Sequence, residues 1–308
     1  MLSDLTLFRS VGSAMATVLS RLGYEITGVH YIKPESTKAL AEKISCTAFD
    51  DSAALAATAD LIFITTNDSA IAQVVDDLAD RGAINDGHVL IHMSGAHASD
   101  IMENARVLGA RLLSLHPLQS FASLEQAIDN LPGSVFSIEG DRDSYNIAVC
   151  IVETLKGEYF FIDKQSKPLY HAGACVVSNY LVSLFDLGVK LLESTGIPSE
   201  LTVKALMPLV KGTIHNLETL EVEQALTGPI SRGDITTVEE HLTCMKQSVP
   251  GLLPLYCTLG QFTVPIAQAK GTTAPEKLAA FAELFSRELA TFNYYFFFIR
   301  FAFFSIES

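Results

Sequence analysis

The chain has 308 residues, sets 21 basic side chains against 35 acidic ones for a formal charge of -14, and is 49% hydrophobic. That length accommodates two domains with cores of their own, and an acidic balance without a basic block argues against a nucleic-acid phosphate backbone as partner. The five cysteines (Cys46, Cys150, Cys175, Cys244, Cys257) lie far apart without metal-ligand spacing, so they read as buried thiols of a reducing compartment, with neither disulfides nor metal implied.

The amino terminus shows no basic region followed by an apolar signal core, so a cytoplasmic protein is expected. A short apolar run (Leu5, Leu7, Phe8) leads into a small-residue helix from Gly12 to Leu22, a turn at Gly23 and a second strand from Glu25 to Tyr31. That order is the beginning of a nucleotide-binding half-domain. A dinucleotide fingerprint would set its last glycine at Gly12, and its two earlier glycines fall on Leu7 and Arg9, whose side chains take space that backbone and pyrophosphate would share. The second strand runs out through His30, Tyr31, Ile32 and Lys33, with no carboxylate for a free ribose diol. His30 and Lys33 suit a ribose phosphate, so NADP is preferred to NAD if a dinucleotide binds; the competing reading of Lys33 is a solvated surface lysine.

Helical pieces follow at 40–43 and 53–59, then the strand Asp60–Asp68, whose polar end offers Thr65, Thr66 and Asn67 either to a nicotinamide-side ribose or as caps for a helix over 69–81. Further strands are expected at 88–93, ending in Ser94-Gly95, at 112–115, ending in His116-Pro117, at 135–138 and at 158–162, with helices at 99–108 and 144–155. The recurrence gives an α/β fold with a mostly parallel, helix-covered sheet through Ile162. His116 at a loop start is a candidate for substrate contact or for a structural hydrogen bond.

From Lys164 the period changes. Residues 169–192 read as one long central helix packed on most sides, on which His171, Ser178 and Asn179 could face one cleft or be buried polar groups satisfied by neighbours. His215 and Asn216 on a later helix could line the same cleft. The loop Thr227–Asp234 carries an Arg232/Asp234 couple expected to pair, with Asp234 or Thr236 capping a helix over 237–246. Helices at 251–270 and 275–289 complete an all-helical second domain, with His241 near its surface. The domains are therefore 1–162, 163–290 and an aromatic tail, 291–308. Phe292 to Phe304 holds nine of the 27 Phe and Tyr residues around a single Arg300. It reads as a membrane contact, a packed tail or an appended segment without an evolved role, the membrane contact being disfavoured by Arg300.

The segments Val11-Gly12-Ser13-Ala14, Ala59 to Thr65, His92-Met93-Ser94-Gly95, His116 to Ala122, Tyr170 to Ala174, Ser178 to Leu181 and Ala225 to Asp234 resemble bacterial proteins that join a Rossmann-like domain to a C-terminal helical domain of unknown function, the DUF2520 type. These are similar to the 6-phosphogluconate, prephenate, ketopantoate and pyrroline-carboxylate reductase group. The resemblance implies an NADP-dependent oxidoreductase acting by hydride transfer on a small substrate in an interdomain cleft, with dimerisation through the helical domain. Gly12, Ser13, His30, Lys33, Thr65, Thr66, Asn67 and Ser94 would serve the cofactor, His116 or His171 would be the acid/base, and Asn179 the orienting group. The phosphogluconate and ketopantoate enzymes carry a lysine proton donor on the first long helix of the second domain, where this sequence offers Lys190 only near the end. The alternative is a non-catalytic or vestigial nucleotide-sensing protein that has lost its glycine loop.

Overall fold

The computed structural model describes the backbone of residues 6–304 and the side chains of residues 11–292. The chain forms two compact units, the first running through Tyr180 and the second starting at Leu181. The first is a mixed α/β sheet domain and the second is helical.

The first unit opens with helix α1 (Thr6–Arg21). The strand expected at its start is absent from the described residues: Leu7 and Phe8 belong to α1, and Leu5 lies outside the described residues. No glycine or proline interrupts the run from Thr6 to Val11, so the helix extends through the stretch where a glycine loop would have stopped it. The side chains of Leu7 and Arg9 lie outside the described residues. The second expected strand shrinks to β1 (Gly28–Val29), which pairs in parallel with β2 (Thr47–Ala48) across α2 (Pro34–Ile44).

Helix α3 (Ser52–Ala56), strand β3 (Leu61–Ile64), α4 (Ile71–Asp80), β4 (Val89–His92), α5 (Glu103–Val107) and β5 (Arg111–Pro117) follow. Then come α6 (Leu124–Asn130), β6 (Val135–Gly140), α7 (Tyr145–Thr154), β7 (Glu158–Phe161) and α8 (Lys167–Val177). The five-stranded sheet has the order β3-β4-β5-β6-β7, parallel except between β5 and β6. Alternation along the strands sends side chains to two cores. Val89, Ile91, Leu113 and Leu115 meet Ala14, Met15, Val18 and Leu19 of α1 together with residues of α6 and α7, whereas Ile64, Leu90 and Leu112 meet α3, α4 and α5. In α4 the buried Ile71, Val75 and Leu78 recur at the spacing of one helix face. Gly12 is required by packing, since a Cβ there would lie 2.1 Å from Thr65 Oγ1.

The expected single helix over 169–192 is two helices, α8 and α9 (Asn179–Glu193), broken at Ser178. It is also largely exposed rather than packed on most sides: Leu169, Val176, Val177 and Val182 are all open to solvent. By length and composition residues 164–193 could cross a membrane, with a mean hydropathy of 1.5. The break at Ser178 and the burial of Lys167 against the sheet argue against that reading.

The second unit adds α10 (Ser199–Thr219, one helix through Pro208), α11 (Val222–Ala225), α12 (Pro229–Arg232), α13 (Ile235–Ser248), α14 (Leu253–Lys270) and α15 (Pro275–Phe304). Its core joins Val238, Leu242 and Met245 to Cys257, Val264, Phe281 and Phe285. Asp234 caps α13, its carboxylate accepting from the Thr237 amide and hydroxyl, which with the nearby Arg232 charge holds its pKa below the usual carboxylate range. Arg232 does not form the expected ion pair with it among the described residues. The cysteines are free, but only Cys257 is buried; Cys150 and Cys244 are exposed, which corrects the expectation of five buried thiols. The side chains of Tyr294 to Phe304, and with them the question of what the aromatic tail packs on, lie outside the described residues.

Candidate functional site

The first unit gathers a polar cluster where the ends of β4 and β5 meet α8. Lys167, the first residue of α8, is fully buried, and its ammonium donates to the Ser94 carbonyl at 2.9 Å and to Ser114 Oγ at 2.5 Å. A cation at a helix N-terminus opposes the helix dipole, and this one forms no ion pair with a carboxylate among the described residues. Burial lowers its pKa to about 8, partly offset by the charges of Glu139 and Asp68. The Glu139 carboxylate instead accepts from the Ser99 amide and hydroxyl at 2.6 and 2.9 Å.

Around this ammonium stand three histidines. His92 is fully buried at the end of β4; its Nδ1 accepts from the Ser94 amide at 3.1 Å, and its Nε2 has no hydrogen-bond partner. His116 is within β5, opposite Ser137 of β6, rather than at the expected loop start, because the antiparallel pairing continues through Pro117. Its Nδ1 lies 2.7 Å from the Tyr170 hydroxyl, and the two rings meet edge to face. His171 sits 6.3 Å from His116 between ring centroids; its Nε2 meets Cys175 Sγ at 3.4 Å, while its buried Nδ1 has no partner. Burial, then the Lys167 charge, lowers the pKa of both His92 and His116 to about 3, so both rings are neutral at physiological pH. Burial raises the Tyr170 phenol.

Gly95 completes the arrangement. A Cβ at that position would lie 2.8 Å from His116 Nε2 and from His171 Nδ1, so two ring nitrogens converge on a spot with no side chain of its own. The cluster can therefore offer ring nitrogens and a phenol to a small polar molecule while keeping His92 and His116 uncharged.

Of the acid/base candidates, His116 and His171 are brought together. Asn179 begins α9 beyond the break at Ser178, is exposed and joins no hydrogen bond of the cluster. Ser94 enters through its backbone and also accepts from the Ala96 and His97 amides. Gly12 is filled by Thr65; Ser13 Oγ pairs with the Tyr31 hydroxyl at 2.7 Å; and His30 Nδ1 faces the Phe49 carbonyl at 3.0 Å. Lys33 is the exposed residue before α2, Asn67 precedes a short turn without a side-chain cap bond, and the Thr66 hydroxyl is shielded yet unpartnered. His215, in the second unit, is exposed beside Glu218 at 3.6 Å, and His241 is bonded to the Tyr256 hydroxyl at 2.8 Å.

Lys167, Tyr170 and His92 were not singled out by residue type. A lysine directly before Pro168 at the start of an apolar helix was the available signal, because that position gains nothing from the dipole.

Residues 8–117 match a Rossmann-like domain, and residues 134–263 match DUF2520, a domain of unknown function. The chain thus joins a Rossmann-like N-terminal domain to a DUF2520 domain, the second match beginning within the sheet at β6. Protein TM1727 from Thermotoga maritima is 26% identical and superposes with a TM-score of 0.67 over 85% of this chain and 96% of that one. Protein BF3122 from Bacteroides fragilis is 22% identical, with a TM-score of 0.63 over 84% and 92%. In fold the chain is also similar to the pyrroline carboxylate reductase of Plasmodium falciparum solved with NADP bound, at 12% identity and a TM-score of 0.53 over 91% and 95%. No curated protein matches the sequence.

Proposed function

We propose that this protein is of the oxidoreductase type and that the His116–Tyr170–His171 cluster binds the oxygen or nitrogen of a small carbonyl or imine compound. The observation that carries the reading is the convergence of His116 Nε2 and His171 Nδ1 on Gly95, over a buried Lys167. In this reading the Tyr170 hydroxyl donates to His116 Nδ1, which leaves the ring proton on Nε2, aimed at the substrate atom. A neutral imidazole in this tautomer can donate its Nε2–H to a carbonyl oxygen and polarise it, with the Tyr170 hydroxyl holding the ring orientation. Lys167 is a positioning residue: it fixes Ser94 and Ser114, and its charge adds to burial in keeping His116 uncharged.

NADP is the nucleotide suggested by relatives such as the Plasmodium enzyme, and His30 and Lys33 favour it over NAD. A pyrophosphate seat does not fit the residues present. Helix α1 runs through the place of the glycine loop, and the face of Gly12 is filled by Thr65. That mismatch favours the second reading, a vestigial, non-catalytic protein that has lost its nucleotide loop. The second unit supports a homodimer, because α10 leaves Leu201 (56%), Leu209 (67%) and Leu217 (51%) exposed along its length.

The test is titration of the full chain with a pyrroline carboxylate and with its reduced amine, read by the imidazole nitrogen signals of His116 and by calorimetry, followed by NADPH and NADH. Saturable ligand shifts that His116→Gln removes support the site. Unchanged His116 signals at millimolar ligand refute it. NADH binding more tightly than NADPH would refute the nucleotide preference.

A further inference from the structure

The two histidines beside Gly95 each have one ring nitrogen engaged by a hydroxyl or a thiol and one that joins no hydrogen bond among the described residues. His116 Nδ1 meets the Tyr170 hydroxyl at 2.7 Å, and His171 Nε2 meets the Sγ of Cys175, one turn further along α8, at 3.4 Å. The remaining nitrogens, His116 Nε2 and His171 Nδ1, each lie 2.8 Å from the position a Cβ of Gly95 would take, so they are no more than twice that distance apart. One hydrogen-bonded atom spans such a separation. Both rings are half-buried, and His171 Nδ1 is shielded from solvent with its hydrogen-bonding capacity unused. Leaving a buried ring nitrogen unpaired is costly. The His171 ring is held by the single hydrogen bond to Cys175, so a small swing about that contact admits a ligand atom.

The engaged nitrogen decides where the ring proton sits. Sulfur is a weak acceptor and an imidazole nitrogen a good one, so the Cys175 thiol donates to His171 Nε2 and the ring carries its proton on Nδ1. The Tyr170 hydroxyl does the same for His116 and leaves that proton on Nε2. Both remaining nitrogens are then donors. Two N–H groups that meet at one atom need an acceptor with two lone pairs, which a carbonyl or carboxylate oxygen has and an imine nitrogen has not. Charge points the same way: the Lys167 ammonium acts on His116, while the buried Glu139 carboxylate is taken up by Ser99.

We infer that Cys175 is a positioning residue which, by holding the His171 proton on Nδ1, makes the corner at Gly95 a two-donor seat for a carbonyl or carboxylate oxygen. This rests on the carbonyl-or-imine reading of the cluster and narrows it to oxygen.

The test uses the full chain with isotope-labelled histidine, whose imidazole nitrogen signals report the tautomers directly. His171 should be protonated on Nδ1 and His116 on Nε2. Cys175→Ser, which keeps a donor, should preserve the His171 tautomer, and Cys175→Val should shift it toward Nε2. The ligand probes are acetate and acetamidinium, alike in shape, the first offering lone pairs and the second N–H groups. Acetate should bind saturably, move the signals of both rings, and bind about tenfold or more tighter than acetamidinium; Cys175→Val should weaken it by about threefold to tenfold, and Cys175→Ser should not. The tautomer of the unaltered chain decides the matter even where the valine variant fails to fold. His171 protonated on Nε2 there, or acetamidinium binding as well as acetate, overturns the inference, and His116 shifts with a pyrroline carboxylate would then leave the broader reading of the site standing. His116 signals that respond to neither acetate nor the pyrroline carboxylate overturn both.

Discussion

Acidification between pH 7.5 and pH 5 should destabilise the first unit well before its carboxylates titrate. His92 and His116 have folded pKa values lowered to about 3, against an ordinary value of 6.5. Their folded values lie below the unfolded ones, so between pH 6.5 and 3 the unfolded chain takes up protons that the folded chain refuses. Stability is then fully present above pH 6.5 and falls as the pH drops toward 3, by about 1.4 kcal/mol per pH unit for each ring. Carried from pH 7.5 to 5, that comes to about 2 kcal/mol per histidine and about 4 kcal/mol for the pair, a large part of a total stability of about 5–15 kcal/mol. The groups that set these values are the Lys167 ammonium and the neighbouring His97 and His171 rings, with desolvation the largest contribution. Urea unfolding of the full chain at four pH values, followed by tyrosine fluorescence, gives the slope. His116→Gln, which keeps a neutral polar side chain, should remove about half of it. Stability flat across this window, or an imidazole of His116 titrating near 6.5, would refute the reasoning.

Lys167→Met should raise stability: the charge costs about 3 kcal/mol by its lowered pKa, and the loss of its bonds to Ser94 and Ser114 returns about 1–2 kcal/mol, leaving a net gain visible in thermal melts. The same variant should raise the His116 pKa, measured by NMR titration. Gly12→Ala should cost about 1–3 kcal/mol in urea unfolding, only partly relieved by Thr65→Ala, since the Cβ of Thr65 would itself lie at 2.7 Å. Gly95→Ala should displace both histidine rings and abolish the ligand shifts at His116. Light scattering of a chain stopped after Ala290 should give a dimer, and Leu209→Glu with Leu217→Glu a monomer.

The sheet was legible from apolar runs of four to seven residues ending in polar ones, and β3 to β7 each fall on such a run. Its first strand is not legible in the same way, because Leu7 and Phe8 suit either element and only the helical continuity from Thr6 decides between them. The antiparallel pairing of β6 leaves no mark in the hydrophobic pattern, so the sequence places His116 in a loop rather than inside the ladder. His116 and His171 carried their own chemical signal. Lys167 did not, because its significance comes from being buried 53 residues after Ser114, a contact that periodicity cannot report. The break at Ser178 leaves only a faint mark: Val176, Val177, Asn179 and Tyr180 beside it are weak helix formers, but each costs only about a few tenths of a kcal/mol and the apolar run continues across them, so Asn179 reads as part of the same helix as His171.

The position of His116 inside a ladder limits how this site can change. Loop-borne acid/base groups move with their loops, at a cost in reorganisation each time the reaction turns over. His116 is held between β4 and β6, and residues on both sides of it are locked by pairing to Leu115↔Ile138 and Pro117↔Phe136. Its ring nitrogen is therefore a fixed reference point, and at the proposed site a change of ligand has to be met by the groups that reach it from α8, Tyr170 and His171, whose helix bonds the sheet through the Lys167 ammonium and the Tyr170 hydroxyl. Substitutions that broaden or shift what the proposed site binds should accumulate along α8, and leave β5 and Gly95 unchanged.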